Sequence, residues 1–175
     1  MENLIDTARA MLAATPERWR RLAESTPPAL MSGRPLPAEW SPLECLQHII
    51  DSERVYQFRV GRFLAGQDFP GFNPDEEGTP PGERTPLELA EEFENLRRES
   101  LEILAKVAEP DLARGARHQE LGPVTLSEML NAWVAHDLNH TMQAERALIQ
   151  PFMQECGPWI RYFTAHVLEG SNVQR

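Results

Sequence analysis

Apolar residues recur along this chain at helical spacing, in segments that open on cap residues. Within about residues 2–24, Leu4, Ala8, Met11, Leu12 and Trp19 hold the apolar positions. That is the i, i+3/i+4 pattern of an amphipathic helix. Pro16 lies inside it. A proline there removes a backbone N–H and crowds the carbonyl four residues earlier, so the pattern predicts a kink at Pro16, or a second helix capped by Thr15. Residues 27–40 are proline-rich and read as loop. Three capping boxes follow: Ser41-Pro42-Leu43-Glu44, Thr85-Pro86-Leu87-Glu88 and Thr125-Leu126-Ser127-Glu128. In each, a hydroxyl caps the first turn and a glutamate three residues on reaches back to the cap. They open helices predicted to run to about residues 64, 108 and 150. Residues 65–84, rich in Gly, Pro and Asp, read as a long loop. A short last helix is predicted after Gly157-Pro158, carrying Trp159, Tyr162, Phe163 and His166. No window alternates between hairpin turns, so strands are not expected. The expected fold class is all-α: a four-helix bundle with a long crossover between helices 2 and 3, plus a short C-terminal helix.

The crossover sets the topology. Helix connections in bundles are mostly ~2–8 residues. The 65–84 loop could reach well over ~40 Å if extended, while a helix of this size is only ~35 Å long. It can therefore cross the bundle and leave helices 2 and 3 parallel. Helices 2 and 4 would then be antiparallel, bringing the start of one to the depth of the end of the other.

Composition narrows the function classes. The 175 residues are expected to form a single domain over 1–175, with 25% charged and 41% hydrophobic residues. The net charge of −10, with no concentrated basic face, argues against a nucleic-acid partner. The first residues lack a basic and apolar leader, and no apolar run approaches the ~20 residues that span a bilayer. Cys45 and Cys156 make neither a Cys-x-x-Cys pair nor a disulfide framework, which points to a cytoplasmic setting without a membrane partner.

The candidate chemistry lies in Ala-His-Asp-Leu-Asn-His. His136 and His140 are four residues apart in the fourth helix, on one face, where two imidazoles can close on one metal ion. His48, in the second helix, is the candidate third ligand. The same spacing also arises by chance among surface histidines, and His48 projects only to the edge of its helix's apolar arc. Spacing alone therefore leaves both readings open. Asp137 falls near the middle of the inward stripe formed by Leu126, Met129, Leu130, Trp133, Ala144, Ala147 and Leu148. A buried carboxylate there needs a partner, and the expectation is a base or a group supporting a histidine ring. Gln143 could face the same place. Cys45 reads as a small core residue, His118 as a solvated loop residue, His166 as packing or interface, and Glu91, Glu92 and Glu94 as a solvated face. Paired Glu-x-x-His motifs at matching depths, as di-iron bundles need, are absent. The zincin His-Glu-x-x-His has Asp137 where its glutamate base would stand.

Together these segments resemble the DinB/YfiT-like superfamily. Trp40-Ser41-Pro42-Leu43-Glu44 with His48 is similar to its first motif. Gly122-Pro123-Val124-Thr125-Leu126 and Trp133-Val134-Ala135-His136-Asp137-Leu138-Asn139-His140 are similar to its second, and Gly157-Pro158-Trp159 to its C-terminal pattern. The resemblance implies a crossover four-helix bundle holding a divalent metal ion through His48, His136 and His140. Zinc or nickel is the expected ion, with iron or manganese as alternatives, since imidazole suits several. It also implies a homodimer. Some relatives transfer low-molecular-weight thiols and others are regarded as metal-dependent hydrolases. The leading expectation is a transferase joining such a thiol to an electrophilic small molecule, with Trp133 and Trp40 lining the cleft. Hydrolysis at the same centre is the second, and a non-enzymatic metal-binding stress-response bundle the third.

Overall fold

A computed structural model of the chain describes residues 3–168 and Gly170. Its helices are α1 (Leu4–Ser25), α2 (Pro28–Ser32), α3 (Pro42–Leu64), α4 (Pro74–Glu77), α5 (Pro86–Leu104) and α6 (Leu126–Glu155). The long ones, α1, α3, α5 and α6, form the bundle, and α2 and α4 are single turns in the connections. The start expected at Glu2 lies outside the described residues. Ser41, Thr85 and Thr125 each accept from the backbone N–H of the glutamate three residues on, and each glutamate returns a bond to its cap. Pro42 and Pro86 sit in the first turn, where a missing N–H costs nothing.

Contacts between α3 and α5 run in step along the two helices. Arg84, just before α5, reaches Gln47, Arg54 reaches Glu92, and Gln57 reaches Ser100. The pair is therefore parallel, joined by the crossover. Contacts between α3 and α6 run in opposite order, His48 meeting His140 and Tyr56 meeting Trp133, so that pair is antiparallel. Helix α1 closes the bundle against α5 and α6. One apolar cluster gathers Leu12, Tyr56, Val60, Phe63, Leu104, Leu130 and Trp133, and another gathers Trp19, Leu46, Ile50, Phe93 and Ala144. Burying each of the larger side chains contributes about 1.5–3 kcal/mol. No helix among the described residues is long and apolar enough to cross a membrane.

A charged network is threaded through this core. Arg97 of α5, 1% exposed, donates to Glu53 of α3 at 2.7 and 2.8 Å and to Asp137 of α6 at 2.8 Å. It also donates to the carbonyl of Leu12 at 2.6 Å and to Thr15 Oγ1 at 3.1 Å. Pro16 explains the carbonyl: α1 continues through the proline, whose missing N–H leaves the Leu12 oxygen without its helical donor. Arg97 supplies that donor. Trp133 Nε1 donates to Glu53 at 3.1 Å, and Thr15 donates to Asp137 at 2.7 Å. All four long helices meet in this one cluster.

Three local expectations are corrected or sharpened. A short antiparallel hairpin, β1 (Gly115–His118) and β2 (Gly122–Thr125), precedes α6. Its strands are four residues each and carry few apolar side chains, so no alternation was there to read. Gly122 turns the chain with φ +79°, a conformation suited to glycine. Phe69 of the crossover donates to the Arg117 carbonyl at 3.1 Å and accepts from Gln119 at 3.2 Å, tying the crossover to the hairpin. After α6, which runs past Pro151 to Glu155, the short C-terminal helix is of the 3₁₀ kind, in two pieces at Gly157–Tyr162 and Thr164–His166. Gln150 and Arg146 hold this segment by its carbonyls, at 3.0 Å to His166 and 3.1 Å to Val167. Helix α5 stops at Leu104, short of the predicted residue 108, and a 3₁₀ segment, Glu109–Ala113, follows.

Candidate metal centre

Antiparallel packing puts one turn of α3 against two turns of α6, and three imidazoles meet there. Ring centroids lie 4.9 Å apart for His48 and His136, 4.4 Å for His48 and His140, and 4.4 Å for His136 and His140. One nitrogen from each ring falls within 4.8 Å of the other two. The Nε2 atoms of His48 and His136 are 2.9 Å apart, with the Ser52 hydroxyl 3.5 and 3.4 Å from them. A tetrahedral ion with bonds of ~2.05 Å holds its ligand nitrogens ~3.3 Å apart, so small ring movements bring this set to a metal. Burial and the neighbouring rings lower the pKa of His48 to about 4 and that of His136 to about 3. Near neutral pH both therefore present lone pairs. His140 Nδ1 is 2.8 Å from Gln143 Oε1. An amide oxygen only accepts, so Nδ1 carries the proton and Nε2 keeps its lone pair. The residues present thus fit a divalent ion bound by three nitrogens, and Gln143 is the supporting acceptor.

Around the centre, Trp40 stacks on His140 at 5.7 Å and lies 4.9 Å from His48. It forms a shared wall between two openings. One is a cleft of about 680 Å³, lined by Trp40, Met142, Gln143, Ile149 and Leu168 among others. The other, about 300 Å³, lies under the crossover and is lined by Trp40, His48, Asp51, Asp75 and Thr79 among others. On the far side Tyr56 sets its ring 5.7 Å from His136, and burial pushes its phenol up to about 12, so it stays a neutral O–H. Trp133 stacks on Tyr56 at 5.0 Å and is buried, its N–H on Glu53. It backs the site from inside the core, whereas Trp40 faces the clefts.

Asp137 is buried as its position on the stripe requires, but its side-chain bonds go to Arg97 and Thr15 and not to an imidazole. Its surroundings are those of a structural ion pair. His118 is not a solvated residue. It is 7% exposed, packed edge-on to Phe69 and in contact with Arg59. Its hairpin, invisible in the sequence pattern, is what buries it. His166 is exposed and lines the larger cleft. In the acidic run, Glu92 pairs with Arg54 and Arg84, and Glu94 with Arg20, so the run also links elements. Arg97 and Glu53 were missed because charged helix residues ordinarily face water. Their signal was position: Glu53 is three and four residues from Ile50 and Ile49, and Arg97 is four from Phe93, inside the apolar arcs.

Cys45 is fully buried, and desolvation pushes its thiol up to about 12. Only the thiolate reacts, so alkylation of the native protein at pH 8 should label Cys156 and spare Cys45. Peptide mapping checks this, and rapid labelling of Cys45 would contradict the packing described.

The fold and site define the class: a crossover four-helix bundle with three converging imidazoles that could hold a metal ion. A family profile described as the DinB superfamily matches residues 11–144. The chain belongs to that superfamily. Among solved structures it is similar to YfiT from Bacillus subtilis, with TM-score 0.75 and 16% identity over 85% of this chain and 87% of that one. That protein is described as a probable metal-dependent hydrolase with an unusual four-helix bundle topology. The DinB-like protein YjoA from the same organism matches with TM-score 0.57 and 18% identity over 86% of this chain and 92% of that one. At these identities the likeness concerns the fold. No curated protein matches the sequence.

Proposed function

We propose that His48, His136 and His140 hold one divalent ion and that the protein is a metal-dependent transferase, joining a low-molecular-weight thiol to an electrophilic small molecule. The observation that carries this is the convergence of three imidazoles beside Trp40, which packs against two of them and lines both openings. Two openings suit two substrates. An ion held by three nitrogens with one position open supplies a Lewis acid that lowers the pKa of a bound thiol or water. The protein's residues do the rest. Gln143 fixes the His140 ring, the Ser52 hydroxyl lies beside the other two rings, Trp40 separates the clefts, and Tyr56 offers a neutral donor. Asp137, held by Arg97, acts as a positioning group for α6. Neither cysteine of the chain stands at the centre among the described residues, so the thiol must come from outside.

Hydrolysis at the same centre is the second reading, favoured by the description of YfiT. The two separate on one assay. Turnover of an electrophile panel is measured with and without added small thiols, on metal-loaded and metal-stripped protein. Thiol-dependent, metal-dependent conjugation is expected. Turnover that needs metal but no thiol would replace transfer with hydrolysis, and equal rates without metal would end both. A cytoplasmic homodimer belongs to the same proposal. Phe152, Trp159 and Tyr162 are large apolar residues left exposed, and sedimentation of the purified chain tests the dimer.

A further inference from the structure

We propose that Arg59 and His118 form a binding site for an oxyanion, the carboxylate or phosphate group of a small molecule, one aromatic ring away from the three-histidine centre. The inference starts from a proton count. His118 Nδ1 accepts backbone N–H bonds from Glu120 at 3.1 Å and Leu121 at 3.3 Å. An imidazole nitrogen that accepts carries no proton, and a neutral ring has one proton to place. It therefore sits on Nε2. Arg59 Nη2 lies 3.2 Å from that Nε2, and a guanidinium has donors only. Two donors thus face one another with no acceptor between them. The opposite tautomer is worse, because Nδ1–H would then oppose two backbone N–H groups instead of one guanidinium. Burial and the Arg59 charge both lower the His118 pKa, so a second ring proton, which would add one more donor, is disfavoured.

An unmatched donor in a residue 7% exposed costs free energy unless something accepts from it. An anionic oxygen satisfies both groups at once, and charge-assisted bonds of this kind are the strong ones. The surroundings favour such a ligand. Arg59 is half-buried, with its guanidinium over the rings of Phe69 at 5.4 Å and Tyr56 at 6.0 Å. No carboxylate pairs with it among the described residues, and Glu120 acts on it only through its field. Phe69 comes from the crossover, Arg59 from α3 and His118 from β1, so three separate elements assemble the site.

Arg59 also lies on the face of α3 that bears the centre. His48, Ser52, Tyr56 and Arg59 follow one another at helical spacing, and a helical side chain leans toward the N-terminus of its helix, here toward Tyr56 and the histidines. An anionic group held by Arg59 and His118 would leave the rest of a small molecule lying along Tyr56 toward His136. The site does not require that an ion occupy the histidines, and its test is independent of that assignment.

The test is nitrogen-15 NMR on the full-length chain, as purified and again after chelation, titrated with inorganic phosphate and separately with succinate. The expected result is an Nε2–H tautomer for His118 and saturable shifts of the His118 and Arg59 side-chain signals with at least one anion, in both preparations. Arg59→Gln should weaken that binding roughly ten- to a hundredfold. Response to phosphate alone would name a phosphate ester, and response to succinate alone a carboxylate. An Nδ1–H tautomer in the wild-type chain, saturation by neither anion, or unchanged affinity in Arg59→Gln would overturn the proposal.

Discussion

Replacing Arg97 with methionine should destabilise the fold by about 3–5 kcal/mol, the scale seen when one member of a buried ion pair is removed. For a chain of this size that lowers Tm by roughly 6–20 °C. The reason is what remains behind: Glu53 and Asp137, 1% and 2% exposed, would keep two carboxylates in the core with their shared cation gone. The Leu12 carbonyl, deprived of its helical donor by Pro16, would lose Arg97 as well. Thermal unfolding of the purified variant checks this, and a variant as stable as the parent would show that the network does not hold the four helices. Adding Glu53→Gln to Arg97→Met should recover part of the loss, since a neutral amide tolerates burial better than a stranded charge. A double variant that is less stable than Arg97→Met alone would contradict this reading.

The second large effect is on activity. His136→Ala should reduce metal-dependent turnover by at least about a thousandfold, because the Lewis-acid contribution is several kcal/mol and each 1.36 kcal/mol is tenfold in rate. Gln143→Leu should be milder, weakening metal affinity by roughly 10–100-fold as loss of a ligand-orienting partner does. The ordering matters more than either number. Gln143 acts on the ion only through its hydrogen bond to His140 in this proposal, whereas His136 would supply a nitrogen directly, so a Gln143 variant more damaging than His136→Ala would contradict the proposal.

Much of the architecture could be read from the chain because its helices announce themselves. Ser41, Thr85 and Thr125 cap α3, α5 and α6 where the capping boxes predicted. The long crossover allowed the parallel and antiparallel pairings that bring His48 beside His136 and His140. The reading failed where structure depends on distant partners. The hairpin around Gly122 needs Phe69, roughly 50 residues earlier in the chain, to complete its backbone bonding. Asp137 was recognised as a buried carboxylate, but its partner is an arginine on another helix rather than a histidine nearby, and local spacing carries no sign of that. His118 became a buried residue only through the same hairpin. The short helix expected after Gly157 and Pro158 is there, in 3₁₀ form.

The most direct measurement is the metal content of protein purified without a histidine tag, taken together with that of His140→Ala after both are reconstituted and desalted. The predicted result is about one divalent ion per chain in the parent, with loss of that ion in a variant that remains folded by circular dichroism. Full occupancy in His140→Ala, or no retained ion in the parent, would contradict the assignment of the three imidazoles to a single metal.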